Sequence, residues 1–279
     1  MALDYYLLAS KYPQLLLPIE KNEKDTPEYK DAVLRGRPVS YEPCFIGSPE
    51  DRLETADTPV GQVEILYLAN REDFVHALQA LAYRCEPVEI PASVGASTIR
   101  GLINWQKIRN HQAMYLASGG ENWSEEFNIF TSEKKNYQDT IILLSSGFYS
   151  AVPASIVGLS EKEWREKSYI IRKYHELSHF VCRTLWPKDI VPIRDEVIAD
   201  LIGLVSAFGK YDPTLAKRFL GIENGCYCEG GRLSHYVDTS HIEEAVKSAS
   251  EQIERLASLM DEIDENDVFN LLMIIIREN

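Results

Sequence analysis

The chain has 279 residues, 45% hydrophobic and 26% charged, the make-up of an ordinary globular protein with enough chain for one large domain or two modest ones. Forty-three acidic residues against 29 basic ones leave a formal charge of −14, which argues against the basic face that nucleic acid or an anionic membrane requires. No run reaches the roughly eighteen apolar residues of a membrane span. The opening "MALDYYLLASKYPQLLLPIEKN" lacks a basic start and is broken by Pro13 and Pro18, so it does not read as a secretory signal. Five cysteines, an odd and scattered set, are no disulfide framework, and a cytoplasmic location is expected.

Residues 1–57 are rich in Pro, Tyr and charge and read as an irregular extension. "QVEILYLA" (62–69) has strand character, and amphipathic helices are expected near 72–84 and 97–110. "DTIILLSS" (139–146) reads as a buried strand, followed by the extended, Pro-interrupted "GFYSAVPASIVG". Ser160-Glu-Lys-Glu163 is a capping-box sequence, from which a long helix can run until Pro187 stops it. Further helices fit 194–208, a short stretch after Asp212-Pro213, 241–261 started by Ser240 with Glu243, and about 265–277. Strands before helices predict an α+β fold in three parts: the 1–57 extension, an α/β part over 58–186, and a helical part over 187–279.

The long helix carries His175-Glu-Leu-Ser-His179. Helical positions four apart lie one turn above each other on one face, so His175 and His179 can offer ring nitrogens to a single point, as zinc requires. Glu176, about 100° round the helix, can hold a water bound to that metal and act as general base. The alternative is a chance match. Burial argues for metal: from Tyr174 to Trp186 the only charged residues are Glu176 and Arg183, so the histidines lie where the helix enters the interior. An unsatisfied polar group there costs about 1–3 kcal/mol.

A catalytic zinc usually has three protein ligands plus water. In "PIRDEVIADLIGLVSAFGK", Glu196, Asp200, Gly203 and Ala207 form one helical row, and apolar side chains cover most of the remaining circumference. A carboxylate on so apolar a helix is expensive unless paired or bound to metal. Glu196 is the candidate third ligand and Asp200 an acceptor for a histidine N–H. A surface-facing carboxylate row is the other reading. The small residues would let this helix approach another closely.

"HELSH" followed by "DEVIAD" resembles the gluzincin branch of zinc metallopeptidases, whose signature is His-Glu-x-x-His and then Glu-x-x-x-Asp on a following helix. The resemblance covers about 175–200. It implies a zincin-like fold, a small mixed sheet over an active-site helix with a mostly helical C-terminal part. It also implies one Zn2+ per chain and a peptide or protein substrate. The sixteen residues between His179 and Glu196 are slightly fewer than in most such enzymes, and Asp195 stands where thermolysin-like members carry Asn.

Such an enzyme needs a donor for the developing oxyanion, and the glycine-rich "GIENGCYCEGGRLSHYVDTSH" offers His235 or Tyr236. Cys226-Tyr-Cys228 could supply a thiolate ligand, as in peptide deformylases, although two buried thiols are the plainer reading. Arg172 could steer a substrate carboxylate, against the plainer reading of a solvated charge. The function expected is zinc-dependent hydrolysis of peptide bonds. The rivals are a small-substrate metal amidase and a non-catalytic binding or regulatory protein.

Overall fold

The computed structural model describes residues 3–187 and 191–278. The chain is α+β and forms two compact units. The first comprises Met1–Thr55, Val63–Ile90 and Ser97–Leu143, and the second Ala56–Gln62, Pro91–Ala96 and Leu144–Asn279. The borders 57/58 and 186/187 read from the sequence do not coincide with these. Met1 and Ala2, at the head of the 1–57 segment, lie outside the described residues.

The first unit opens with α1 (Tyr5–Lys11), whose first turn is capped by the Asp4 carboxylate accepting from the Leu7 amide, and with the single turn α2 (Pro27–Tyr29). Strands β1 (Arg52–Thr58) and β2 (Gly61–Leu68) follow, then α3 (Arg71–Leu81), β3 (Ala96–Ile103), α4 (Trp105–Ala117), α5 (Trp123–Ser132) and β4 (Gln138–Ser145). The strands make one small mixed sheet in the order β1-β2-β4-β3. The central strands read as continuous apolar runs because both faces are covered: Ile65, Leu66, Leu68 and Ile141 to Leu144 are wholly buried.

Two expectations for this unit need correction. The helix expected over 97–110 begins only at Trp105, and its first half is the edge strand β3. Gly101 has φ +75°, outside the helical region, and the Asn104 side chain caps α4 by accepting from the Gln106 and Lys107 amides. The 1–57 segment is not wholly irregular, since it holds α1 and most of β1. Helix α1 is too short to show a period, and β1 buries only Ala56. Helix α5 buries no residue, so it carries no core-facing stripe to read.

The second unit is helical. It contains α6 (Ala154–Val157), α7 (Glu161–Leu185), α8 (Pro192–Phe208), α9 (Pro213–Leu220), a two-stranded hairpin of β5 (Ile222–Glu223) and β6 (Cys226–Tyr227), α10 (Ile242–Met260) and α11 (Val268–Glu278). The capping box at the head of α7 is complete: Ser160 Oγ accepts from the Glu163 amide, and the Glu163 carboxylate accepts from the Ser160 amide at 3.0 Å. Trp164, one turn on, is fully buried and donates from Nε1 to Val152 O at 2.7 Å. Helix α10 starts without a side-chain cap, so Ser240 does not serve as one.

Helices α7 and α8 pack closely because Gly203 removes the side chain at their contact. A Cβ added there would sit 2.8 Å from Ile171 O, well inside ordinary contact. Ile202, Phe219, Ile253, Leu271 and Ile275 fill the core on the remaining faces. No described helix is long and apolar enough to cross a membrane, and all five cysteines are free thiols.

Candidate metal centre

His175 and His179 lie one turn apart on α7, and Glu196 and Asp200 one turn apart on α8. All four are buried. The Gly203 contact draws the two helices together one turn beyond these residues, so the rows face each other. His179 Nε2 is 3.1 Å from His175 Nε2 and 3.1 Å from Glu196 Oε1, and His175 Nε2 is 3.3 Å from Glu196 Oε2.

Those separations provide a test of fit. Ligands held at about 2.0–2.1 Å in a tetrahedron stand about 3.3–3.4 Å from one another, close to the spacing here. The donor set also suits a cation: two imidazole nitrogens and a carboxylate converge on one point, where a ring proton or a positive ion relieves the repulsion of their lone pairs. This buried His-His-Glu group could hold a metal ion.

Beneath it lies a hydrogen-bonded layer. His175 Nδ1 is 2.9 Å from Asp200 Oδ1, and Tyr149 donates its hydroxyl to the same oxygen at 2.6 Å. Arg232 closes the layer, with Nη2 on Asp200 Oδ2 at 2.5 Å and Nη1 on the Tyr149 hydroxyl at 2.8 Å. With Tyr149 and Arg232 both donating, the network assigns the His175 proton to Nδ1 and leaves Nε2 as the ligand lone pair. Tyr236 donates to Glu196 Oε2 at 2.8 Å, which fixes the carboxylate.

The electrostatics follow from burial set against these partners. Burial pushes the Glu196 carboxyl up, but His175 and His179 outweigh it and hold it well below the ordinary range. Burial acts likewise on Asp200, where Arg232 and His175 outweigh it. Burial would lower His175, yet the carboxylates of Asp200 and Glu196 raise it instead. Burial keeps the phenols of Tyr149 and Tyr236 protonated, and therefore able to donate. One buried carboxylate, Asp200, is thus balanced by Arg232. The other, Glu196, faces the two imidazoles with the Arg232 guanidinium 3.8 Å away, and a metal ion would balance it more fully.

Among the residues expected from sequence, His175, His179, Glu196, Asp200 and Tyr236 come together. Glu176 is buried on the same helix, next to His175. His235 does not join them: it is exposed, and its ring lies 6.3 Å from that of Tyr236. Arg172 is not a solvated charge. It is buried and donates to the carbonyls of Gly147 and Phe148, pinning the segment that leads into Tyr149. Cys226 and Cys228 are exposed rather than buried, and burial pushes the Cys182 thiol up to about 12.

Two residues of the network have no readable signal in the sequence. Tyr149 reaches Asp200 from a turn in which Ser150 and Ala151 both take positive φ, 50° and 56°. Left-handed backbone costs about 1–2 kcal/mol per L-residue, so the surrounding contacts must impose it. Arg232 reaches the site from the glycine-rich loop, where Gly221 and Gly231 touch backbone to backbone: a Cβ on Gly221 would lie 2.4 Å from Gly231 Cα. The one available hint was Asp200 itself, since a carboxylate so buried needs a cation.

No curated protein and no solved structure matches the chain. The Family of unknown function (DUF7005) matches residues 3–276, and the chain belongs to that family.

Proposed function

We propose that this chain is a zinc-dependent hydrolase of the gluzincin type, with a zincin-like fold, that cleaves peptide amide bonds. The observation that supports the reading best is the set of three ligand atoms, His175 Nε2, His179 Nε2 and the Glu196 carboxylate, 3.1–3.3 Å apart on a His-Glu-x-x-His helix and its neighbour. One zinc per chain would supply Lewis acidity there, acidifying water and polarising a carbonyl.

The protein's own groups do the rest. Glu176 takes a proton from the attacking water and passes it to the leaving amine. Asp200, Tyr149 and Arg232 hold His175 in the Nδ1–H tautomer, as positioning residues. Between the two candidates for the oxyanion donor, Tyr236 is the better placed, because its hydroxyl already rests on a ligand carboxylate and His235 is exposed. The free thiols and the want of a membrane-crossing helix among the described residues agree with a cytoplasmic enzyme, which is part of the same proposal.

The test pairs two variants of protein purified without chelator. Glu176→Gln should keep one equivalent of zinc and lose about 10²–10⁴-fold in cleavage of a peptide library. Glu196→Ala should lose the zinc by elemental analysis. Retained cleavage in Glu176→Gln would remove the proposed base, and unchanged zinc in Glu196→Ala would remove the third ligand. Zinc with hydrolysis of small amides alone would favour the amidase reading, and zinc without any hydrolysis a binding or regulatory protein.

A further inference from the structure

The stretch Cys226-Tyr227-Cys228 has no part in the hydrolase chemistry, yet the fold gives it a definite geometry. Strands β5 and β6 form a hairpin in which Glu223 pairs with Cys226 and Ile222 with Tyr227. Asn224 and Gly225 turn it, both at positive φ, 50° and 75°, as a two-residue Asn-Gly turn requires. The Cys228 amide donates to Gly221 O at 2.8 Å and extends the pairing by one rung. Successive side chains of a strand point to opposite faces. Ile222 is buried and Tyr227 half-buried on the inner face, with the Tyr227 hydroxyl donating to Gly231 O. Cys226 and Cys228 therefore share the outer face, and both thiols are exposed.

Neither a packing nor a metal-ligand role fits such a pair. Packing thiols are buried, as Cys85 is. A zinc site needs four ligands, or three and a water, and no cysteine joins a convergent group of three among the described residues. Two thiols on alternate strand residues have Cα atoms about 6.4–6.8 Å apart, the outer limit for a disulfide. Closing the bond shortens the strand and leaves it strained. Strained, exposed disulfides are the labile and regulatory ones.

A shift of Cys228 is passed on to Arg232. The Cys228 carbonyl accepts from the Gly231 amide at 3.0 Å, and Gly231 and Gly221 touch backbone to backbone, which leaves no slack between them. Arg232, the next residue, holds Asp200 and the Tyr149 hydroxyl. We propose that Cys226 and Cys228 are a modification site: they form a reversible disulfide by exchange with a small-molecule disulfide such as oxidised glutathione, and its closure draws Arg232 away from Asp200. One cysteine thiolate attacks oxidised glutathione and expels a glutathione thiolate; the other attacks the mixed disulfide and expels the second. Two protein thiols lose two electrons and two protons, and one oxidised glutathione becomes two reduced ones. A disulfide that forms transiently in a reducing compartment is of the redox-sensing kind. A further consequence rests on the metal reading above: with Arg232 gone from Asp200, the support beneath His175 loosens and zinc is held more weakly.

The test equilibrates the full chain in glutathione buffers of graded ratio, blocks the remaining thiols with N-ethylmaleimide, and reads each cysteine by peptide mass. Cys226 and Cys228 should leave the alkylated pool together, with the mass of two hydrogens lost, while Cys85 and Cys182 stay reduced. The oxidised chain should melt at a lower temperature in EDTA and bind zinc about 10–100-fold more weakly by chelator competition. Dithiothreitol should restore both, and Cys226→Ser and Cys228→Ser should show neither change. Oxidation of one thiol alone, a stable glutathione adduct, or a disulfide between two chains overturns the proposal. So does a paired disulfide that leaves melting temperature and zinc affinity untouched. A chain that binds no zinc in either form, yet pairs its thiols and melts lower, refutes the metal reading and upholds the disulfide.

Discussion

Gly203→Ala tests whether the two site helices are held by direct backbone approach. Helix propensity alone predicts that alanine in mid-helix stabilises by about 1 kcal/mol. The structure predicts the opposite sign. The new Cβ would lie 2.8 Å from Ile171 O, 2.9 Å from Ile171 Cγ2 and 3.3 Å from Ile171 Cα, and two of those atoms are backbone, which cannot rotate aside. An unstrained contact needs about 3.5 Å, so α7 and α8 would have to part by several tenths of an ångström along the contact. Overpacking of this kind costs about 1–3 kcal/mol, and a rigid backbone neighbour places it at the upper end. After the propensity gain, a net loss of about 2 kcal/mol remains, or about 4–8 °C in melting temperature for a chain of this size. The separation opens one turn from His175 and Asp200, so metal affinity should fall as well. Thermal unfolding with EDTA and zinc competition against a chromogenic chelator would measure the two effects. A variant as stable as the parent, or more so, with unchanged zinc affinity would refute the close-approach argument.

Three further outcomes follow from named contacts. Arg232→Met strands the Asp200 carboxylate, which is 1% exposed, so urea unfolding should show a loss of about 3–5 kcal/mol that adding Asp200→Asn largely restores; additive losses would mean the pair is not coupled. Asp139 accepts from Tyr12 at 2.5 Å, Asn104 at 2.6 Å and Lys107 at 2.6 Å; burial raises its pKa, but these donors outweigh that and hold it below 3.8. Its folded pKa is therefore depressed, so its contribution is fully present above pH 3.8 and fades as pH falls through the folded value. Asp139→Asn should cost stability at pH 7 and flatten the acid limb of a stability–pH curve, and an unchanged limb would deny the linkage. Ser160→Ala removes half of the capping box at the head of α7 and should cost about 1 kcal/mol by chemical denaturation, whereas Ser160→Thr should restore most of it.

How far the sequence could be read depended on how local each signal was. The start of α7 was legible because a capping box is spelled out within four residues, and its stop because Pro187 cannot continue a helix. The spacing of His175, His179, Glu196 and Asp200 was legible because a helix turns every 3.6 residues and thereby states which side chains share a face. Small residues on that same row announced a close approach, and Gly203 against Ile171 supplies it. Strand β3 was misread as helix because its first residues can serve either structure, and pairing within the sheet, with Gly101 and the Asn104 cap, decided between them.

The chain alone therefore determined the local periodicity, the capping box of α7, and two rows of ligand-type side chains on two helices. Tertiary structure decided that those rows converge, which phenol and which guanidinium support them, and that His235 stays outside. The physical reason is range. A helix fixes neighbours three and four residues apart through its own hydrogen bonds, whereas Tyr149 and Arg232 meet Asp200 across 51 and 32 residues, from irregular turns held only by contacts with the rest of the unit.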